Sequence, residues 1–435
     1  MTKQELKDMA CAAIDKHSEQ IIALGDNIFN EPELGFKEFK TAEKVSNLFE
    51  ALGFSYRNGV AVTGVVAELK GSQSKMKVAI MGELDAVVSP QHPNADPATG
   101  AAHACGHNCM IAALAGVAYA LGKTEVMKHL AGDVSLMAVP AEEYVEIEYR
   151  KSLIDSGKTH FVGGKQEFIY LGEMDNIDIM MMHHNQAEKN GVVACAGYTT
   201  NGFMGKLVQY VGKAAHSGGA PHKGINALNA ANIGLMAVHA QRETFMDADH
   251  VRVHPIITKG GDLVNIVPED VRIETYIRGA SLPAIMDAQT KVDRAFKAGG
   301  DAVGAKTNIT TLPGYLPFVL HNPLLDIMYE NQVSLFGKDR VVHTAPPLGG
   351  STDAGDVSQL MPTIHCGFAG MEGEPHGPDL RITDKDIGMI GAAKGLVMTL
   401  IDLLAENAET GLSVKNSFHP PMTKEKYLKD WGNHI

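Results

Sequence analysis

The chain has 435 residues, 38 Lys and Arg against 51 Asp and Glu for a formal charge of -13, and is 45% hydrophobic. An acidic balance of that size excludes the broad positive face that recruits nucleic acid or an anionic membrane. At roughly 150 residues per domain the length predicts two or three domains.

The opening MTKQELKDMACAAIDKHSEQ reads as an amphipathic helix with charges throughout, not as a secretory leader, and no apolar run approaches the ~20 residues of a membrane span. The five cysteines are odd in number and scattered (Cys11, Cys105, Cys109, Cys195, Cys366), which fits reduced thiols better than a disulfide framework. A cytoplasmic protein is expected. TAEKVSNLFEALGF then has helical spacing, KVAIMGELDA is strand-like up to Met81, MIAALAGVAYALGK is a buried helix, and DVSLMAVPAEE is a strand stopped by Pro140. The helical EYRKSLIDSG precedes another apolar run, IDIMMMHHN. Such alternation predicts an α/β fold with a mostly parallel sheet and helices on both faces.

From about residue 200 the rhythm changes. GKLVQYVGKAAH, VRVHPIITKGG, VNIVPEDVRIETYIRG and KTNITTLPG read as strands, with helices GINALNAANIGLMAVHAQRE and PAIMDAQTKVDRAFKAG between them. The order β-α-β-β-α-β is the split βαβ, ferredoxin-like arrangement of a smaller α+β domain. Alternation then resumes through PLLDIMYENQVSLFG, TIHCGFAG and GMIGAAKGLVMTLIDLLAE. Residues 1–199 and 313–435 are therefore expected to form one discontinuous domain, interrupted by a second over 200–312.

Open α/β sheets do their chemistry beyond the carboxyl ends of their strands. The run ending at Met81 is followed by Glu83 and Asp85, the run ending at Val139 by Glu142 and Glu143, the run ending at Met182 by His183 and His184, and the run through Phe368 leads to His376. Cys105 and His107, two apart around Gly106, stand ahead of a helix, where a turn aims both at one point. Thiolate, imidazole and carboxylate are the ligands of zinc-like divalent ions. A lone Cys-x-His is commonly accidental, and a buried Cys commonly a small hydrophobe; the weight lies in the convergence of strand ends.

Adjacent carboxylates at a buried strand end repel unless a cation is near, so Glu142 and Glu143 divide naturally between a ligand and a proton carrier. The competing reading is a solvated acidic loop. His183 and His184 alternate to opposite faces of their strand, so only one is expected at the site, and His184, at the end of the apolar run, is the choice.

With these residues in hand the sequence resembles the aminoacylase/carboxypeptidase family of dinuclear metallohydrolases, in the amidohydrolase branch that includes p-aminobenzoyl-glutamate hydrolase and the auxin-conjugate hydrolases. NEPELGFKEFKTAEKV, HACGHN, PAEE, GKAAHSGGAPHKGINAL, NIVPEDVRI, GGSTDAGD and PHGPDL carry it nearly end to end and in order. The resemblance implies two divalent ions per chain, zinc or manganese with cobalt possible, held by Cys105, His107, Glu143, His184 and His376, with Glu142 as catalytic base and Asp85 orienting a ligand. It implies that the inserted domain is a lid and dimerisation domain. His216 then resembles the histidine that reaches a partner subunit's site to hold the substrate carbonyl, and Asn265 and Arg278 resemble positions that handle the substrate's polar end.

The implied reaction is hydrolysis of the amide bond of an N-acyl amino acid, an aminobenzoyl-amino acid or a small dipeptide in a homodimer. Where the commoner motif continues with Asp and then Ala-His, this chain has Asn108, Cys109 and Met110, closer to a dipeptidase-like subset. Without the resemblance, His216 and His222 read as exposed loop histidines and Arg278 as a solvated charge; His92 either lines the pocket or is a loop residue, the second being favoured. The alternatives are a non-catalytic acyl-amino-acid-binding protein on the same fold, which would lack a base or ligand, and an unrelated enzyme with a structural zinc site, which would not keep a spare carboxylate.

Overall fold

The computed structural model describes residues 1–432. The chain divides into two compact units: Met1–Thr199 with Val319–Pro347 and Asp356–Lys424, and Thr200–Phe318 with Leu348–Gly355 and residues 425–432.

The first unit is built on a nine-stranded sheet. Its strands run in the order Tyr56–Val60, Gly64–Leu69, Asp133–Val139, Lys77–Glu83, Ile179–Ala187, Thr363–Glu372, Ala194–Gly197 and Val341–Thr344, with Arg381–Ile382 on the far side of Thr363–Glu372. The four central strands, from Asp133–Val139 to Thr363–Glu372, are mutually parallel, and antiparallel pairs flank them. Parallel strands are buried on both faces, which is why these segments read as unbroken apolar runs. The strand Lys77–Glu83 extends two residues past Met81, so Glu83 is its last residue instead of the loop residue that the apolar run implied.

Alternation along Ile179–Ala187 decides what faces the site. Ile179 and Met181 join the main core, together with the helices His107–Gly122 and Ala392–Leu404. His183 follows them to that face and packs against Phe368 at 5.9 Å between ring centres; His184 takes the other. The carboxyl-terminal segment corrects one expectation. Asp386–Leu404 is 19 residues long and apolar enough to cross a membrane by length and composition, but 83% of its apolar 18-residue window is buried inside the structure, as a core helix of the first unit.

The second unit is an antiparallel sheet of four strands in the order Arg252–Lys259, Asp270–Gly279, Gly202–Val211, Lys306–Pro313, with the helices Ala227–Ala240 and Leu282–Val303 packed on one another and on the sheet. This is the β-α-β-β-α-β unit that the sequence predicts. Two predicted strands are shorter than read: the strand in VNIVPEDVRIETYIRG begins only at Asp270, and the one in GKLVQYVGKAAH ends at Val211. Residues beyond those limits form loops joined by the isolated bridge His216–Ile266.

Candidate active site

The carboxyl ends of the central strands gather most of the residues that the sequence singles out. Gly106, with φ of 90° in the left-handed region that favours glycine, turns the chain into the helix His107–Gly122, and so presents Cys105 and His107 to one side. Cys105 Sγ lies 3.3 Å from His184 Nε2. His107 Nε2 lies 3.0 Å from Glu83 Oε2 and 4.0 Å from Glu142 Oε2, and His376 Nε2 lies 3.1 Å from Glu143 Oε1.

Three groups of potential ligand atoms, each within 4.8 Å of one another, emerge: Cys105, His107 and His184; Cys105, Glu143 and His376; and Glu83, His107 and Glu142. Cys105 is common to the first two. All five residues expected as ligands thus lie in one locus, with Glu142 beside them.

The surroundings fix how these groups point. His107 Nδ1 lies 2.8 Å from the carbonyl oxygen of Asp85, and His184 Nδ1 2.7 Å from that of Asn185. A ring nitrogen facing a carbonyl must carry the proton, so both imidazoles turn an unprotonated Nε2 toward the cluster when neutral. His107 Nε2 and Glu143 Oε1 are buried, and the groups they face at hydrogen-bond distance are themselves potential ligands, Glu83 and His376. Buried lone pairs converging on one spot are what a cation satisfies. The donor set of one thiolate, three imidazoles and carboxylates fits a divalent ion of the zinc type.

Electrostatics agree. Burial and the Glu143 carboxylate push the Cys105 thiol up, but the His107 and His184 imidazoles pull it further the other way, to about 6. Hydrogen bonds to Cys105 and Glu143 raise His376 to about 11. Burial holds His183 down at about 3, a neutral ring in an apolar setting. Charged His376 and a thiolate describe the cluster without a cation; ligation requires the imidazole neutral.

Asp85 is buried and serves twice: its Oδ1 is 3.3 Å from His107 Nδ1, and its Oδ2 accepts the N–H of Glu143 at 2.8 Å. Sequence reasoning gave no role to Glu83, Glu38, Arg150 or Lys165. Lys165 Nζ meets Glu83 Oε1 at 2.5 Å, both fully buried. No local pattern marks these residues: GGKQEF reads as a polar helix start, and EYRK as a solvated face.

His216, Asn265 and Arg278 belong to the second unit. His216 is exposed, and its Nδ1 accepts the N–H groups of Gly218 and Gly219 at 3.2 and 2.9 Å, which leaves the ring proton on Nε2. The carbonyl of exposed Asn265 accepts from Ser217 N at 2.9 Å, bringing the two loops side by side. Arg278 lies on Asp270–Gly279, donates to Ser351 Oγ at 2.7 Å and stacks over the Phe203 and Tyr276 rings. His222 sits exposed in the short turn Pro221–Lys223. His92 is buried, with Nε2 2.8 Å from the Leu380 carbonyl, as a loop anchor of the first unit. Asn108 is buried and donates to the Gly25 carbonyl, and Cys109 is part of the main core.

Residues 79–412 match the family model of peptidase family M20/M25/M40. The mouse Xaa-Arg dipeptidase is 28% identical over 97% of this chain and 94% of its own length. The N-acetyl-L-cysteine deacetylase of Bacillus subtilis is 24% identical over 94% of each. Among solved structures, a dinuclear metal-binding M20 peptidase from Bacillus subtilis shares the fold with a TM-score of 0.67 at 19% identity, over 90% of this chain and 99% of that one.

Proposed function

The chain belongs to peptidase family M20/M25/M40, and we propose that it is a metal-dependent amidohydrolase. It would cleave the amide bond of an N-acyl amino acid, an aminobenzoyl-amino acid or a small dipeptide. The family relatives named for a dipeptide and an N-acetyl amino acid support that substrate range. The observation that carries the reading is Glu142, a carboxylate at the edge of a donor cluster that is complete without it.

Cys105, His107, His184, Glu143 and His376 would hold two divalent ions, zinc, manganese or cobalt, with Cys105 shared between the two groups it joins. Bound there, such ions supply Lewis-acid polarisation and make water a stronger acid. Glu142 takes the proton of the attacking water and returns it to the departing amine. Asp85 fixes the His107 ring and the Glu143 backbone. His216, with its proton on Nε2, suits a donor to the substrate carbonyl as negative charge develops there. The planar guanidinium of Arg278, with Asn265, suits a substrate carboxylate.

The second unit is the lid and dimerisation domain of this reading. Exposed Met236, Ile256, Leu263, Val264 and Ile266 give it apolar surface for a second copy, through which His216 would serve the partner's site. All five cysteines are free, which supports a reducing, cytoplasmic setting.

The test is turnover of a panel of N-acyl amino acids, aminobenzoyl-glutamate and dipeptides by protein loaded with zinc, manganese or cobalt. A second arm compares Glu142→Gln. The proposal expects hydrolysis of at least one class, and loss of about 100-fold or more in kcat with metal content retained in the variant. An active, metal-loaded Glu142→Gln would remove the base.

A further inference from the structure

We infer that Arg150 is a positioning residue which sets the aim of Glu142 and Glu143 by binding the carbonyl groups of the loop that carries them. The inference rests on the reading of Glu142 as the proton-handling group. Arg150 belongs to the helix Ile147–Asp155, in a charged run, yet its side chain is fully buried. Its Nη1 donates to the carbonyls of Ala141 at 3.2 Å and Val162 at 2.9 Å, and its Nη2 donates to the carbonyl of Glu143. The guanidinium lies 5.6 Å from the centre of the Phe36 ring.

Two carboxyl groups complete the clamp. The N–H of Ala141 donates to Glu38 Oε1 at 2.8 Å, and the N–H of Glu143 to Asp85 Oδ2 at 2.8 Å. Ala141 and Glu143, the neighbours of Glu142 on either side, therefore each have both backbone polar groups held by buried ionisable side chains. Beyond the last ladder pair of a strand such groups have no partner from the sheet, and a buried one must find a partner elsewhere. Charge-assisted bonds are the stronger kind, and the rigid fork of arginine alone spans three carbonyls at once.

Two further observations show the loop to be determined from outside. Ala141 has φ of 56°, a conformation that a residue with a side chain holds only where its surroundings impose it. A Cβ on Gly35 would overlap Arg150 Nη2 and crowd Ala141 Cα and Cβ, so the bare backbone there makes room for both the guanidinium and the loop it holds. The same contact zone is tied a second time by the Lys37–Glu146 ion pair at 2.7 Å. A displacement of the loop would move Glu142 relative to the cluster without removing any reacting group, and about 1 Å of misplacement costs on the order of 100-fold in rate.

If Arg150 merely balanced buried negative charge, lysine would serve. The experiment therefore compares Arg150→Lys, Arg150→Met, Gly35→Ala and Glu142→Gln, each loaded with zinc and assayed well below its melting temperature. The substrate is the N-acyl amino acid or dipeptide that the wild type turns over, and metal per chain is measured in parallel. Expected is a fall in kcat of about 10- to 100-fold in both Arg150 variants, with KM changed less than about threefold and metal retained. Gly35→Ala, which keeps the guanidinium but crowds both it and Ala141, should fall likewise, and Arg150→Lys carries the test if Arg150→Met does not fold. Wild-type kcat in Arg150→Lys or in Gly35→Ala overturns the inference, as does a loss confined to KM or to metal content. If Glu142→Gln is inactive while Arg150→Lys is intact, only the Arg150 inference falls; if Glu142→Gln is fully active, the reading of Glu142 falls and the inference with it.

Discussion

Nδ1 of His107 lies 2.8 Å from the backbone carbonyl of Asp85 and 3.3 Å from its Oδ1, so one residue sets both the tautomer and the direction of the ring. Asp85→Asn keeps the shape and an acceptor for Glu143 N but removes the charge behind the imidazole. Loss of such a partner typically costs 10- to 100-fold in metal affinity. Competition with a chelating dye should show a fall of about that size. Unchanged affinity would mean that the carbonyl alone suffices.

Cys105 stands in two of the three ligand groups, so its loss should be felt at both. In Cys105→Ser, metal per chain measured by mass spectrometry should fall from about two toward one or none, since the hydroxyl is a far poorer anion than a thiol held at about 6. The cobalt-loaded variant should also lose its thiolate-to-metal absorption. Full occupancy in the variant would leave the thiolate without a ligand's role.

The site was legible where chemistry coincides with sheet rhythm. Glu83, Asp85, Glu142, Glu143 and His184 each close an apolar run, and strand alternation alone separates His184 from His183. The short strands Ala194–Gly197 and Val341–Thr344 are too brief to carry a period and escaped notice. Arg150, Lys165 and Glu38 were invisible for another reason. Their burial depends on partners 7 to 103 residues away, and a charged residue in a mixed helix reads the same whether its tertiary partner exists or not.

Glu38 offers a pH test of the loop's support. Burial, reinforced by the Asp85 charge, raises its carboxyl from 4.5 to about 7, against weaker opposing hydrogen bonds from Thr63 and Ala141. Because the folded chain holds this proton more tightly than the unfolded one, the contribution to stability is full below pH 4.5 and is lost as pH rises through about 7. Glu38→Gln keeps an acceptor for Ala141 N and cannot ionise. Its melting temperature should gain on the wild type between pH 5 and pH 8, by on the order of 2 kcal/mol of unfolding free energy. A difference that does not vary with pH would show that Glu38 is ionised throughout.

Lys165 and Glu83 form an ion pair with neither member accessible to solvent, and Glu83 spends its second oxygen on His107. Removing one member of such a pair leaves an uncompensated buried charge, at about 3–5 kcal/mol, whereas removing both charges is frequently neutral. Lys165→Met should therefore lower the urea midpoint sharply, and Lys165→Met combined with Glu83→Gln should recover most of the loss. The recovery separates charge from packing, because the double variant restores no methylene or hydrogen bond that the single one lacks. If single and double variants unfold at the same urea concentration, Lys165 acts through the space it fills and not through the charge of Glu83.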